Sequence, residues 1–129
     1  MRRPKKGVTS GCYKVLQGVT SPAMLEKSIE NYLREQWTYR TRGECVKLPP
    51  IFYKGMPDQM GMCAPNIICY IETKRPVGGV LSPAQIKVHE RWRKRGHWVE
   101  VAYTKEMVDN LIDTVCAYIT SLTHTRTKE

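Results

Sequence analysis

The sequence has no apolar run near the roughly 18–20 residues that a membrane-crossing helix needs, so no helical span is expected. The charged N-terminus MRRPKKG is followed by no apolar stretch of the roughly 7–15 residues that a secretory leader requires. No signal peptide is therefore expected, and the chain is read as cytoplasmic. Cysteines are few and scattered. Cys12, Cys45, Cys63, Cys69 and Cys116 are odd in number and form no CxxC pair, and His89, His97 and His124 lack zinc-ligand spacing. That pattern argues against a disulfide framework and a structural zinc site, and predicts reduced thiols, several of them in the core. No internal repeat is present. Acidic residues are in deficit, 12 against 21 Lys and Arg, which leaves a net charge of +9 on 129 residues. A domain this basic suits a polyanion such as DNA or RNA. An apolar fraction of 41% is enough for a core, and the length suits one domain.

The pattern divides the chain into a basic arm over residues 1–22, a folded domain over 23–122 and a tail, THTRTKE, over 123–129. The arm is rich in Lys, Arg, Gly, Ser and Thr and holds at most a short strand around CYKVLQ. Ser21 and Pro22 then supply an N-cap and a proline at the first helical position. In the helix PAMLEKSIENYLREQWTYR, Leu25, Ile29, Tyr32 and Leu33 fall on one stripe, with Glu26 and Glu30 one turn apart beside it. Gly43 closes that region. ECVKL reads as a strand stopped by Pro49 and Pro50. DQMGM and IICYIETK read as two further strands joined through CAPN. LSPAQIKVHERWRKRG is a helix with Ser82 as N-cap, Pro83 at N1 and Gln85 at N3, which makes a capping box. HWVEVAY is a last strand. Thr104 caps KEMVDNLIDTVCAYITSL, whose Met107, Val108, Leu111, Ile112, Val115 and Ile119 form a core-facing stripe. This order predicts a small α/β domain with a mixed sheet flanked by helices.

One feature of the third strand asks for chemistry. Alternation places Ile68, Tyr70, Glu72 and Lys74 on one face, so a carboxylate and an amine stand side by side at the strand's end. If DQMGM pairs antiparallel with IICYIETK, Asp58 begins its strand where Glu72 ends the next, and the two carboxylates converge. Such convergence is electrostatically costly unless a cation uses it. A divalent ion such as Mg²⁺ accepts hard oxygen ligands together with water and phosphate oxygens. An adjacent lysine can orient water or neutralise a phosphate. A Glu–Lys pair two residues apart is also common on a solvated strand, and Pro-Asp is a common turn dipeptide. The combination carries the signal.

The combination resembles the PD-(D/E)xK nuclease superfamily and, within it, the small stand-alone VRR-NUC domains of phages and bacteria. MLEKSIENYL is similar to that family's acidic first helix, and GECVKL to its first strand. KGMPD is similar to its G-x-PD (Gly55, Pro57, Asp58), and YIETK to its (V/I)E-x-K (Glu72, Lys74). GGVLSPAQIKVHERWRKRGHWVEV is similar to its G-x-LS-x-x-Q helix and following strand. The resemblance covers about Met24 to Leu111. It implies a restriction-endonuclease-like fold and a Mg²⁺-dependent (or Mn²⁺-dependent) endodeoxyribonuclease. It also implies a branched DNA substrate such as a Holliday junction or flap, a homodimer, and, for a phage-encoded chain, residence in the host cell. By residue, it implies metal ligands at Asp58, Glu72, the carbonyl of Thr73 and Glu26, with Glu30 as the alternative to Glu26. Lys74 would be the catalytic lysine and Gln85 a polar residue beside the site, although the capping box accounts for Gln85 equally well. Two departures lie beside the site. The loop PPIFYKGMP lacks the Ser-Pro-Gly often found there, and Gln59 stands where the family usually has arginine.

Phosphate contacts are expected from Lys47, Lys54, Arg75, Lys87, Arg91, Arg93 and Lys94, with Arg95 in the same basic run. Each of them is equally readable as part of a solvated face. Trp92 and Trp98 are read as core or dimer contacts rather than base-stacking platforms. Two other readings compete: a non-catalytic nucleic-acid-binding protein on the same fold, and a small RNA-associated protein. The second rests on charge alone and leaves the strand acids unexplained.

Overall fold

The structure, a computed structural model, describes residues 22–49 and 53–128. The basic arm, the Ser21 cap and the Pro50–Phe52 part of the loop lie outside the described residues. Helix α1 (Pro22–Thr41) leads into β1 (Glu44–Lys47), β2 (Gln59–Cys63) and β3 (Ile67–Thr73). Helix α2 (Pro83–Lys94), β4 (Trp98–Ala102) and α3 (Lys105–Lys128) complete the chain. The strands form one sheet in the order β1-β2-β3-β4. The first three make an antiparallel meander, and β4 adds parallel to β3. A parallel neighbour needs a crossover, which α2 supplies. The mixed α/β sheet expected from the sequence is what the chain builds.

The core lies between the sheet and the pair α1 and α3. Ile29, Leu33 and Trp37 of α1 and Val108, Leu111, Ile112 and Val115 of α3 close over Cys45, Cys63, Ile67, Cys69 and Ile71. Trp37 is fully buried, and its indole N–H donates to the Met62 carbonyl at 3.1 Å. Gly61 in β2 makes that approach possible, because a Cβ there would lie 2.7 Å from the Trp37 ring. The buried thiols Cys45, Cys63 and Cys69 are free, as expected.

Several boundaries differ from the sequence reading. Gly43 does not supply the left-handed turn after α1. Arg42 takes it, at φ 65°, and Gly43 is needed because a Cβ there would sit 1.9 Å from the Met62 carbonyl oxygen. Strand β2 starts at Gln59, so Asp58 stands just outside it. Met107 is exposed rather than part of the core stripe of α3. Helix α3 runs to Lys128, so the stretch read as a tail from Thr123 is helical through that residue. The capping box at α2 forms as read, with Gln85 N–H donating to Ser82 Oγ at 3.1 Å and Ser82 N–H to Gln85 Oε1 at 2.8 Å. The Met107 N–H donates to Thr104 Oγ1, the cap of α3.

Candidate active site

The antiparallel register pairs Gln59 with Ile71, so one step further sets Asp58 against Glu72. The backbone knits this corner together. Asp58 Oδ1 accepts from the Thr73 amide at 3.2 Å and Oδ2 from the Thr73 hydroxyl at 3.3 Å. The Asp58 amide in turn donates to the Glu72 carboxylate. The Leu48 amide bonds the Asp58 carbonyl at 2.8 Å, which ties in the end of β1. Glu26 and Glu30 reach the same corner from α1. Carboxylate oxygens of Glu26, Glu30 and Asp58 all lie within 4.8 Å of one another. Both helix acids thus join one cluster. The family resemblance implies Glu26, with Glu30 as the alternative. With Lys47, Gln85, Tyr53 and Glu72 they line a cleft of about 270 Å³ between α1, the sheet end and the start of α2.

The charges in this cleft are poorly solvated. Burial raises the Asp58 pKa to about 6, with the Thr73 amide working against it and the charges of Glu30 and Glu26 adding to it. Burial likewise pushes Glu72 up to about 8, reinforced by Asp58 and opposed by Lys74. Asp58 and Glu72 resist ionisation because they are desolvated among like charges. The donor set is entirely oxygen and hard, and a divalent cation would relieve that repulsion, so these residues are compatible with a metal ion.

Basic groups are distributed around the acids. Lys47 Nζ is 3.1 Å from Glu30 Oε2, and Arg34 lies 4.0 Å from Glu30 Oε1. Lys47, expected at phosphate, is therefore ion-paired in the cleft although its side chain is about half exposed (54%). Lys74 Nζ is 3.8 Å from Glu72 Oε2, and its side chain is largely covered. Gln59 is fully buried, and its Oε1 accepts from Arg34 at 3.1 Å. A guanidinium therefore reaches position 59 from α1. Of the other residues expected at phosphate, Lys54, Lys87, Arg91, Arg93 and Lys94 are exposed and Arg75 is half-buried. Arg91 donates to the Tyr53 hydroxyl, Arg93 to the Val99 carbonyl and Arg75 to the Val77 carbonyl. Trp92 packs against Tyr53 and Tyr70, and Trp98 against Tyr118.

Sequence reasoning missed His89. It is buried on α2 with its Nε2 3.9 Å from Glu72 Oε1. Burial, then Arg93 and Lys74, lower its pKa to about 4, so the imidazole is neutral at physiological pH. A lone histidine inside an amphipathic helix carries no signal by spacing.

No protein-family model and no curated protein matches the chain. A solved structure described as a "VRR_NUC domain" does match, at 31% identity and a TM-score of 0.63, over 68% of this chain and 94% of that one.

Proposed function

The chain belongs to the VRR-NUC domain family, and from that premise we propose that it is a Mg²⁺-dependent (or Mn²⁺-dependent) endodeoxyribonuclease. The observation that carries this reading is the convergence of Glu26, Glu30, Asp58 and Glu72, from α1 and both sides of the β2–β3 pairing, on one cleft with Lys74 beside it. Glu26, Glu30 and Asp58 would hold the cation, joined by Glu72 and the Thr73 carbonyl. A bound Mg²⁺ supplies a Lewis acid for the scissile phosphate. The Thr73 amide and hydroxyl fix the Asp58 carboxylate, and Lys47 pairs with Glu30. Lys74 places a positive charge next to Glu72, where it can orient water or offset charge developing on a phosphate. Gln85 borders the same cleft at the start of α2.

The basic surface supports a polyanionic substrate, and family membership favours DNA. Branched DNA such as a four-way junction or flap, cut by a homodimer, is the form proposed here. The experiment is incubation with labelled four-way junction, flap and linear duplex in Mg²⁺, Mn²⁺ or EDTA, beside Asp58→Asn. The wild type is expected to cut the branched substrates only with metal, and Asp58→Asn to bind without cutting. Cleavage that persists in EDTA overturns the metal-dependent reading. Binding without cleavage in any metal would favour a non-catalytic binder.

A further inference from the structure

Among the described residues, the buried side-chain nitrogens and oxygens without a hydrogen-bond partner are Gln59 Nε2, Glu72 Oε1, His89 Nδ1 and His89 Nε2. Three of these belong to one spot, where α2 crosses the end of β3. His89 is 1% exposed and Glu72 is 3% exposed, so water does not account for them from outside. The 3.9 Å between His89 Nε2 and Glu72 Oε1 is too short for an interposed water, whose two legs would span roughly 4.5 Å at a tetrahedral angle. It is about an ångström longer than a direct hydrogen bond. Burying a polar ring without a partner is costly, and an apolar side chain would fill the volume more favourably. What the imidazole adds is a ring nitrogen 3.9 Å from one oxygen of a cleft carboxylate, a donor in the tautomer protonated at Nε2.

We propose that His89 is a positioning residue whose Nε2–H holds Glu72 Oε1, fixing the rotation of the carboxylate with Oε2 on the side of Lys74. The other groups near Glu72 cannot do this. Lys74 and the Asp58 amide both fall to Oε2, since Oε1 has no hydrogen-bond partner. His89 is also rigidly carried. It sits next to buried Val88 on a helix whose start is locked by the Ser82–Gln85 box. A carboxylate held from behind in this way loses less freedom when it takes up a cation, which is how outer partners of metal ligands raise affinity. The inference rests on the metal-dependent reading above, with Glu72 facing the cation.

The test is Mn²⁺ binding by calorimetry without DNA, on the wild type, His89→Gln and His89→Leu, with thermal melts of each. Glutamine places an amide N–H where Nε2 stands, and leucine places none. His89→Leu should weaken Mn²⁺ binding about 10- to 100-fold, while His89→Gln stays within about threefold of the wild type. Should His89→Leu fail to fold, His89→Asn replaces it, because its amide reaches only the Nδ1 position. Equal affinity in the wild type and the donor-free variant overturns the proposal. So does an equal loss in the glutamine and donor-free variants, which would assign the effect to shape. A wild type that binds no Mn²⁺ overturns the metal reading itself, a different result from either.

Discussion

Replacing Glu72 by glutamine should stabilise the cation-free protein at alkaline pH, even though it removes a group from the heart of the cleft. The Glu72 pKa rises from an ordinary 4.5 to about 8 in the folded chain. Below 4.5 it is protonated whether folded or not, and the fold bears no penalty. As pH rises toward 8 the unfolded chain releases this proton and the folded chain keeps it, so stability is lost through that window and levels off above it. A shift of roughly 3.5 units at about 1.4 kcal/mol each sets a ceiling on the order of 5 kcal/mol. Coupling to Asp58 and Lys74 spreads the titration, so about 2–5 kcal/mol is expected. At roughly 3 °C per kcal/mol for a domain of this size, Glu72→Gln should melt about 6–15 °C above the wild type at pH 9 and level with it at pH 4.5. The assay is a series of thermal melts in EDTA from pH 4.5 to 9. All other titrating groups are shared, so the difference between the two curves isolates this corner. Excess Mg²⁺ should raise the wild-type melt at pH 9 and shift the variant far less. A difference that stays flat across the range, or a variant less stable than the wild type at pH 9, would refute the account of Glu72 as a desolvated carboxylate.

Three further outcomes are expected. Lys74→Ala should lose about 10²- to 10⁴-fold in cleavage rate with little change in metal affinity, and near wild-type turnover would demote the lysine to a covered structural residue. Gly61→Ala should destabilise the domain by about 1–3 kcal/mol, because the new Cβ meets the Trp37 ring; an unchanged denaturation midpoint would contradict that packing. Lys87→Ala with Lys94→Ala should weaken junction and duplex binding alike and flatten the salt dependence, which follows about −0.9 per phosphate neutralised. Lysines suit this test better than Arg93, whose loss would also remove its bond to the Val99 carbonyl. A loss confined to one DNA form would point to base or shape reading by α2.

The parts of the fold legible in the sequence are those written in local patterns. The stripe of Ile29 and Leu33, the Ser82–Gln85 box and the alternation along IICYIET are each set within one element, and each was readable there. The facing of Asp58 and Glu72 was readable because a short turn fixes the register of a hairpin. What was hidden depends on depth and on partners far along the chain. Spacing cannot tell how deeply Glu26 and Glu30 sit, so both remained open until α1 was docked on the sheet. Lys47 is expected at phosphate from the sequence, and only the approach of α1 to β1 makes it the partner of Glu30. The end of α3 was read as tail because Thr123 onward carries no apolar stripe. A helix already nucleated propagates by its own backbone bonds without one.

The capping box at α2 has a consequence for what the cleft can grip. Gln85 Oε1 is committed to the Ser82 amide, and the same side chain borders the cleft. One of the two Oε1 lone pairs is thus taken, and the Nε2 hydrogens are left to complement an anionic oxygen. The two sides of the cleft thus differ in polarity, carboxylates on the α1 and strand side and an N–H donor on the α2 side. A ligand carrying both a coordinated cation and an oxyanion is better matched with its cation toward the carboxylates and its oxyanion toward Gln85. The contact that starts a helix also gives the cleft a direction.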